Sequence, residues 1–239
     1  MSNIYLVRHG QAGTRDAYDS LSPLGCRQSR LLGEYFASQG IRFSAAYSGE
    51  MSRQQQSGEE VRAGYGADFP EIMVDPGWNE FDLDRMYREI APQLSGGNPG
   101  FRREYEAMRQ QVHASGGAQQ ASVHRRWLPC DTAVVDAWVE GGHDYAGESW
   151  EQFRQRVTAC RLSSDLAPRD VNIAVFTSAV PIAIWTGVAL EILNARVMKL
   201  AGVLHNASFT LLQVRKDNLR LFTFNATPHL DSPSLRTFR

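Results

Sequence analysis

Ile4-Tyr5-Leu6-Val7-Arg8-His9-Gly10-Gln11-Ala12-Gly13 reads as a buried strand that runs straight into a loop broken by glycine. Ile4 to Val7 are apolar and partly β-branched, the signature of a short strand inside a sheet. Downstream, Ser22-Pro23 combines a helix N-cap with proline at the first helical position. Leu24, Leu31, Leu32, Tyr35 and Phe36 then recur at helical spacing, which predicts a helix over 23–39 closed by Gly40. A strand at 43–47, a helix at 50–64 and a strand at 71–75 follow, with Pro76-Gly77 turning the chain. A series of strands joined by helices builds a mainly parallel sheet with crossover connections.

Residues 82–147 interrupt that rhythm with polar helical material from Phe101 to Ala114 and glycine-rich stretches at 96–100 and 115–118. They read as a mostly helical insertion, or lid, set over one edge of the core. The pattern resumes with a long helix over 149–166, with Glu148 beside its start, where a carboxylate suits the helix dipole. A buried strand at 171–176, a turn at Thr177-Ser178-Ala179, an apolar helix over 180–192 and a short helix over 194–200 come next. Alternation at 207–214 and 219–225 predicts a β-hairpin around Asp217-Asn218. From Pro228 the tail is polar, and it is expected to lie irregularly on the surface. The expected fold class is α/β: a three-layer sandwich with a mainly parallel sheet flanked by helices, plus the helical insertion, all in one domain over 1–239.

The 239 residues are 43% hydrophobic and 21% charged, ordinary values for a globular protein and enough for a sizeable core. Lys and Arg number 25 against 26 Asp and Glu, a net charge of -1 that argues against a dedicated nucleic-acid binder. No run approaches the length of a membrane-spanning helix, and the N-terminus lacks a basic, apolar, small-residue signal pattern. No membrane partner and a cytoplasmic location are therefore expected. Cys26, Cys130 and Cys160 show neither a CxxC pair nor metal-ligand spacing, so they read as plain thiols.

In an open α/β sheet, ligands bind outside the carboxyl ends of the strands. His9 therefore stands where a substrate would be. Arg8 offers a planar fork suited to phosphate oxygens, and Gly10 lets backbone pass close to an anion. Arg53, in the first turns of the helix after the second strand, adds a second cation near the same edge, at a helix end that favours anions. Taken singly, His9 reads as a hydrogen-bonded structural residue and Arg53 as a solvated helix charge. Together with Arg8 they make a phosphate clamp.

Several blocks occur in order. They are Arg8-His9-Gly10-Gln11, Leu21-Ser22-Pro23-Leu24-Gly25 with Gln28, and Ser48 through Met51-Ser52-Arg53 to Gln56-Ser57. Glu80 after Trp78-Asn79, Gly147-Glu148-Ser149 with Arg156, and Asn206-Ala207-Ser208 complete the set. This chain resembles the histidine phosphatase superfamily, also called phosphoglycerate mutase-like, from residue 4 to about 212. The resemblance implies catalysis through a phosphohistidine. His9 would be the nucleophile. Arg8 and Arg53 would hold the phosphoryl oxygens with Gln11, and Glu80 would be the general acid and then the base that activates water. No cofactor and no metal are implied, since the arginines supply the positive charge. The expected partner is a small phosphorylated substrate, with a homodimer allowed for.

The chain departs from the family at the end of the late strand, where a second histidine and a glycine belong. Here Ser178 and Ala179 stand in those places. A hydroxyl donates one hydrogen bond and brings no charge. Losing an oxyanion donor costs about 3 kcal/mol, roughly a hundredfold or more in rate. The expectation is a phosphatase of small phosphomonoesters weakened at Ser178. A phosphate-ligand binding or regulatory protein without turnover, a phosphoglycerate mutase-type phosphotransferase and a plain structural domain are the alternatives. Of the other histidines, His113, His124, His143 and His205 read as surface residues, with His143 the best outsider. Trp78, close to Glu80, is a candidate pocket wall, while Trp127, Trp138, Trp150 and Trp185 read as packing.

Overall fold

β1 (Ser2–Arg8), β2 (Ala45–Ser48), β3 (Ile72–Val74), β4 (Asn172–Thr177), β5 (Phe209–Arg215) and β6 (Asn218–Ala226) form one sheet in the order β3-β2-β4-β1-β5-β6. The computed structural model describes residues 2–13, 19–114, 129–160, 170–192, 194–215 and 218–238. β3, β2, β4 and β1 run parallel, while β5 and β6 add an antiparallel hairpin beside β1. Among the described residues there are nine helices: α1 (Pro23–Ser38), α2 (Ser52–Tyr65), α3 (Leu83–Glu89), α4 (Ala91–Gly97), α5 (Pro99–Ala114), α6 (Pro129–Glu140), α7 (Trp150–Thr158), α8 (Ala179–Ala189) and α9 (Asn194–Ala201).

The two-residue period of the strands explains the layering. Tyr5, Val7, Ala46, Ala174, Phe176, Phe209 and Leu211 share one apolar cluster with Leu32 and Phe36 of α1 and Val61 of α2. Ile4, Leu6, Tyr47, Ile173, Val175 and Leu212 share another with Trp78 and with Ile182 of α8. Successive side chains point to opposite faces, so a strand covered on both sides reads as a continuous apolar run. The protein is thus an α/β fold with a mostly parallel sheet flanked by helices. On the first face, α1 and α2 pack almost backbone to backbone. A Cβ on Gly33 would meet the Val61 carbonyl oxygen at 2.0 Å, a distance no neighbour can accommodate without moving.

The described chain divides into two compact units, Met1–Glu80 with Arg156–Arg239, and Phe81–Gln155. The second unit has its own aromatic cluster, in which Phe81, Trp138, Trp150 and Phe153 meet at centroid separations of 5.2–6.0 Å.

Two sequence expectations change and a third is met in part. The helix expected over 149–166 ends at Thr158. The Ala159 N–H bonds to the Arg156 carbonyl (3.2 Å) and the Cys160 N–H to that of Val157 (3.5 Å), three-residue steps that close the last turn. Residues 161–166 of that expectation lie outside the described residues. The helix expected to run to 192 stops at Ala189, and Glu191 takes a positive φ of 53°. The tail after Pro228 takes the expected irregular course, with Asp231, Pro233, Ser234, Arg236 and Phe238 exposed, but it is anchored as well as laid on the surface. Leu230 is fully buried, and Leu235 and His229 nearly so. The periodicity that reveals a strand or helix is missing there, because the tail anchors by single side chains and a short Pro233–Leu235 turn.

His229 has a measurable consequence. Its ring lies 6.3 Å from that of Tyr35, and burial pushes its pKa down to about 4. It is neutral in the folded protein and protonated in the unfolded chain between that value and the ordinary 6.5. Its contribution is therefore intact above pH 6.5 and lost as the pH falls toward 4, about 3 kcal/mol in all. Urea unfolding of wild type and His229→Phe at pH 7 and pH 4.5 should show the variant losing less stability on acidification. Equal losses in the two proteins would contradict this assignment.

Candidate active site

β1 carries Arg8 and His9 to its carboxyl end, where Arg8 stands in register with Thr177 of β4. The His9 N–H donates to the Thr177 carbonyl at 2.9 Å. The imidazole is 5% exposed, and its Nδ1 lies 2.7 Å from the Gly10 carbonyl oxygen. A carbonyl only accepts, so Nδ1 carries the proton and Nε2 keeps its lone pair. Burial, then the charges of Arg53 and Arg8, hold the His9 pKa well below 6.5, against a smaller pull from the Gly10 contact. The result is a neutral imidazole with a free nucleophilic nitrogen, flanked by two cations.

The loop after His9 is held from several sides. The Gly10 N–H donates to Ser57 Oγ (2.9 Å), which itself donates to the Arg53 carbonyl (2.7 Å). A Cβ on Gly10 would fall 2.4 Å from the Gly25 carbonyl oxygen, so only glycine lets this loop rest on the start of α1. Asn206 Nδ2 reaches the His9 and Gly10 carbonyls at 3.3 and 3.5 Å. The Gln11 N–H donates to Gln28 Oε1 at 2.9 Å. Gln28 and Asn206 are tied in turn to the tail: Gln28 Nε2 donates to the Leu235 carbonyl (2.7 Å) and Thr237 Oγ1 (2.9 Å), and Thr237 Oγ1 donates to Asn206 Oδ1 (3.0 Å).

Arg8 is buried and donates through Nη1 to the Leu204 carbonyl. Arg53 is equally buried, and its Nη1 lies 3.1 Å from Asp19 Oδ1. Asp19 Oδ2 also accepts the Ser52 N–H at 3.1 Å, capping α2 where Met51 has no side chain able to do so. The structure thus brings Arg8, His9 and Arg53 together at one edge of the sheet. Gln11 stands at the rim, its Oε1 accepting from the Ser22 hydroxyl at 2.9 Å.

Ser178 follows β4 and is buried, next to the strand that carries His9. Its Oγ accepts from Gln54 Nε2 at 2.9 Å. A longer side chain in the same rotamer would meet that amide. Glu80 ends the turn after β3. Arg156 Nη1 grips this turn through the carbonyls of Pro76, Gly77 and Asn79 at 3.0, 2.9 and 3.3 Å. Glu80 Oε2 accepts the Val180 N–H at 3.2 Å, so its carboxylate sits at the first turn of α8, two residues past Ser178. Trp78 is not a pocket wall. It is fully buried against Trp185 at 5.8 Å, and what faces the site region from it is a carbonyl that accepts from Thr177 Oγ1 at 2.6 Å.

His205 is half-buried and its ring packs 4.1 Å from that of Phe238. His143 belongs to the 81–155 unit. His124, Trp127 and the side chain of His113 lie outside the described residues. No group of three or more His, Cys, Asp or Glu among the described residues is arranged to hold a metal ion, and no helix among them is long and apolar enough to cross a membrane.

Sequence reasoning assigned no role to Asp19 or Gln54. A signal for Gln54 existed: with Ser57, Gly58 and Val61 it falls at i, i+3, i+4 and i+7, and all four are buried. The polar Gln54-Gln55-Gln56 run masked it. Asp19 had none, since its partner lies 34 residues away.

The family model for the histidine phosphatase superfamily (branch 1) matches residues 4–138 and 131–227. Among solved structures, Bacillus stearothermophilus YhfR superposes with a TM-score of 0.65 at 16% identity, covering 97% of this chain and 100% of that one. A phosphoglycerate mutase from Bacillus anthracis gives 0.62 at 16% identity, covering 96% and 95%. Phosphoserine phosphatase from Entamoeba histolytica, in complex with 3-phosphoglyceric acid, gives 0.58 at 18% identity, covering 96% and 100%. At these identities the likeness is one of fold. No curated protein matches the chain at a significant level. With the family model spanning nearly the whole chain and the strand order of the sheet in place, this protein belongs to the histidine phosphatase superfamily, branch 1.

Proposed function

We propose that the protein hydrolyses small phosphomonoesters through a phosphohistidine on His9. The observation that carries this reading is the state of His9: a buried, neutral imidazole whose Nδ1 is tied to the Gly10 carbonyl, leaving Nε2 free between two cations. A dianionic phosphoryl group is drawn by Arg8 and Arg53, with Gln11 and the Ser178 hydroxyl as further donors. His9 Nε2 attacks phosphorus as the ester P–O bond breaks, and Glu80 gives a proton to the departing oxygen. Glu80 then removes a proton from water, which attacks the phosphohistidine and releases inorganic phosphate. Fixed positive charge supplies most of the stabilisation where negative charge spreads in the transition state. Proteins of similar fold carry the names of both outcomes, a phosphoserine phosphatase and a phosphoglycerate mutase.

The experiment is a rapid quench with a labelled phosphomonoester. Label should appear on His9 as an acid-labile, alkali-stable adduct and then as inorganic phosphate. Return of label to an alcohol instead of water would mark a phosphotransferase, and phosphate binding without labelling would mark a binding protein. Glu80→Gln tests the acid. It should slow hydrolysis of alkyl phosphates by about 100-fold or more, and that of activated aryl phosphates far less, because a good leaving group needs little protonation. Equal losses for both would remove Glu80 from that role.

A further inference from the structure

We propose that Gln54 is a positioning residue for the oxyanion site: it orients the Ser178 hydroxyl so that its proton is presented to the phosphoryl group beside His9. The proposal rests on the phosphoryl-transfer reading above. Gln54 is completely buried, one residue after Arg53 on α2. Its Nε2 donates to the Trp78 carbonyl at 3.2 Å and to Ser178 Oγ at 2.9 Å. A peptide carbonyl can only accept, so the end of the amide beside Trp78 must be the NH2 group. The reverse orientation would set two carbonyl oxygens against each other. Both Nε2 hydrogens are then spent, and Ser178 Oγ must accept one of them. The hydroxyl proton is left to point away from Gln54.

A second observation agrees. Ser178 is the N-cap residue of α8, a position where serine ordinarily turns its oxygen onto the helix N–H groups. Here it makes no side-chain cap bond. The Val180 N–H goes to Glu80 Oε2 instead, so the serine is relieved of capping. Its neighbour in the sheet is the chain that bears His9, through the Arg8 to Thr177 register and the His9 N–H to Thr177 bond. Gln54 Oε1 meanwhile is buried without a hydrogen-bond partner among the described residues. An amide left half-satisfied is held at a cost to stability, which fits a group kept for its two donors. The distance along the chain between Gln54 and Ser178 is 124 residues, so the pair is a product of the fold.

A double-mutant cycle on the full chain decides it, read by orthovanadate and inorganic phosphate binding in calorimetry and by single-turnover phosphorylation from p-nitrophenyl phosphate. Ser178→Ala and Gln54→Met should each weaken vanadate binding by about 10- to 100-fold, as expected for a hydrogen bond to a charged group. The double variant should be no weaker than Ser178→Ala. Gln54→Glu should be worse than Gln54→Met, because a carboxylate takes the serine proton and turns a lone pair toward the anion. If Gln54→Met does not fold, Gln54→Asn, which withdraws the amide by one methylene, takes its place in the cycle. Additive losses, with Gln54 substitution still costly when Ser178 is alanine, would overturn the proposal and reduce Gln54 to a packing role. Vanadate binding needs no turnover. A wild-type protein that binds vanadate but forms no phosphohistidine overturns the phosphatase reading and leaves the cycle to judge Gln54. A wild-type protein that binds neither anion overturns both.

Discussion

Replacing His9 with alanine should abolish hydrolysis of every phosphomonoester the protein accepts, with initial rates down by about 10⁴-fold or more, as when the nucleophile of a covalent mechanism is removed. Phosphate binding should survive in the variant, because Arg8 and Arg53 are anchored independently, one on the Leu204 carbonyl and the other beside Asp19. Folding should survive too, since the main-chain atoms of His9, which bond Thr177 and Ala207, are unchanged. The wild-type ring itself offers a direct check. Burial and the two guanidinium charges hold its pKa well below 6.5, so nitrogen-resolved NMR at pH 6.5 should show one protonated and one bare ring nitrogen, with Nδ1 bearing the proton. The sign follows from the mechanism: the nucleophile works deprotonated, so the lowered pKa keeps it active into mildly acidic solution. A doubly protonated ring at pH 6.5, or residual turnover in His9→Ala within tenfold of wild type, would reject His9 as the nucleophile.

Removing the tail after Thr227 should have the largest effect on stability. Leu230 and Leu235 would each forfeit about 1.5–3 kcal/mol of burial. Gln28 Nε2 and Asn206 Oδ1 would lose their tail partners inside the protein, at about 1–3 kcal/mol for each buried group left unpaired. Such a total is comparable with the whole stability of a typical domain, about 5–15 kcal/mol. The truncated chain should therefore fail to show a cooperative thermal transition near that of wild type. A milder variant, Thr237→Val, separates stability from function. It breaks the bonds to Gln28 and Asn206 but leaves Leu230 and Leu235 in place, so it should fold with a lowered Tm and turn over more slowly, because Asn206 holds the His9 and Gly10 carbonyls. A truncated chain with an unchanged Tm would show that the tail contributes nothing to the fold.

Local chemistry made much of this protein legible in its residues. Ile4 to Val7 and Ile173 to Phe176 are apolar without interruption because both sheet faces are covered, and that covering belongs to a parallel α/β sheet. Ser22-Pro23 marked a helix start that the structure places at Pro23, with the Ser22 hydroxyl accepting the Gly25 N–H at 3.0 Å. Arg8, His9 and Arg53 were readable as one edge of the sheet because each lies at or just beyond the end of a strand, where ligands of an open α/β sheet bind.

Other features depend on which distant side chain arrives where. The polarity of the Ser178 hydroxyl is settled by Gln54, whose orientation is settled by the Trp78 carbonyl; no period or motif links those three positions. Trp78 looked like a pocket residue by its nearness to Glu80, but side chains two apart need not share a face, and the indole turned inward against Trp185. Asp19 meets Arg53 from 34 residues away, with α1 and β2 between them, and the tail reaches Gln28 over 207 residues. Periodicity records how one element meets the core. It carries no information about a hydrogen bond between two elements, because either partner alone could be satisfied by water, and the choice falls only when packing expels that water.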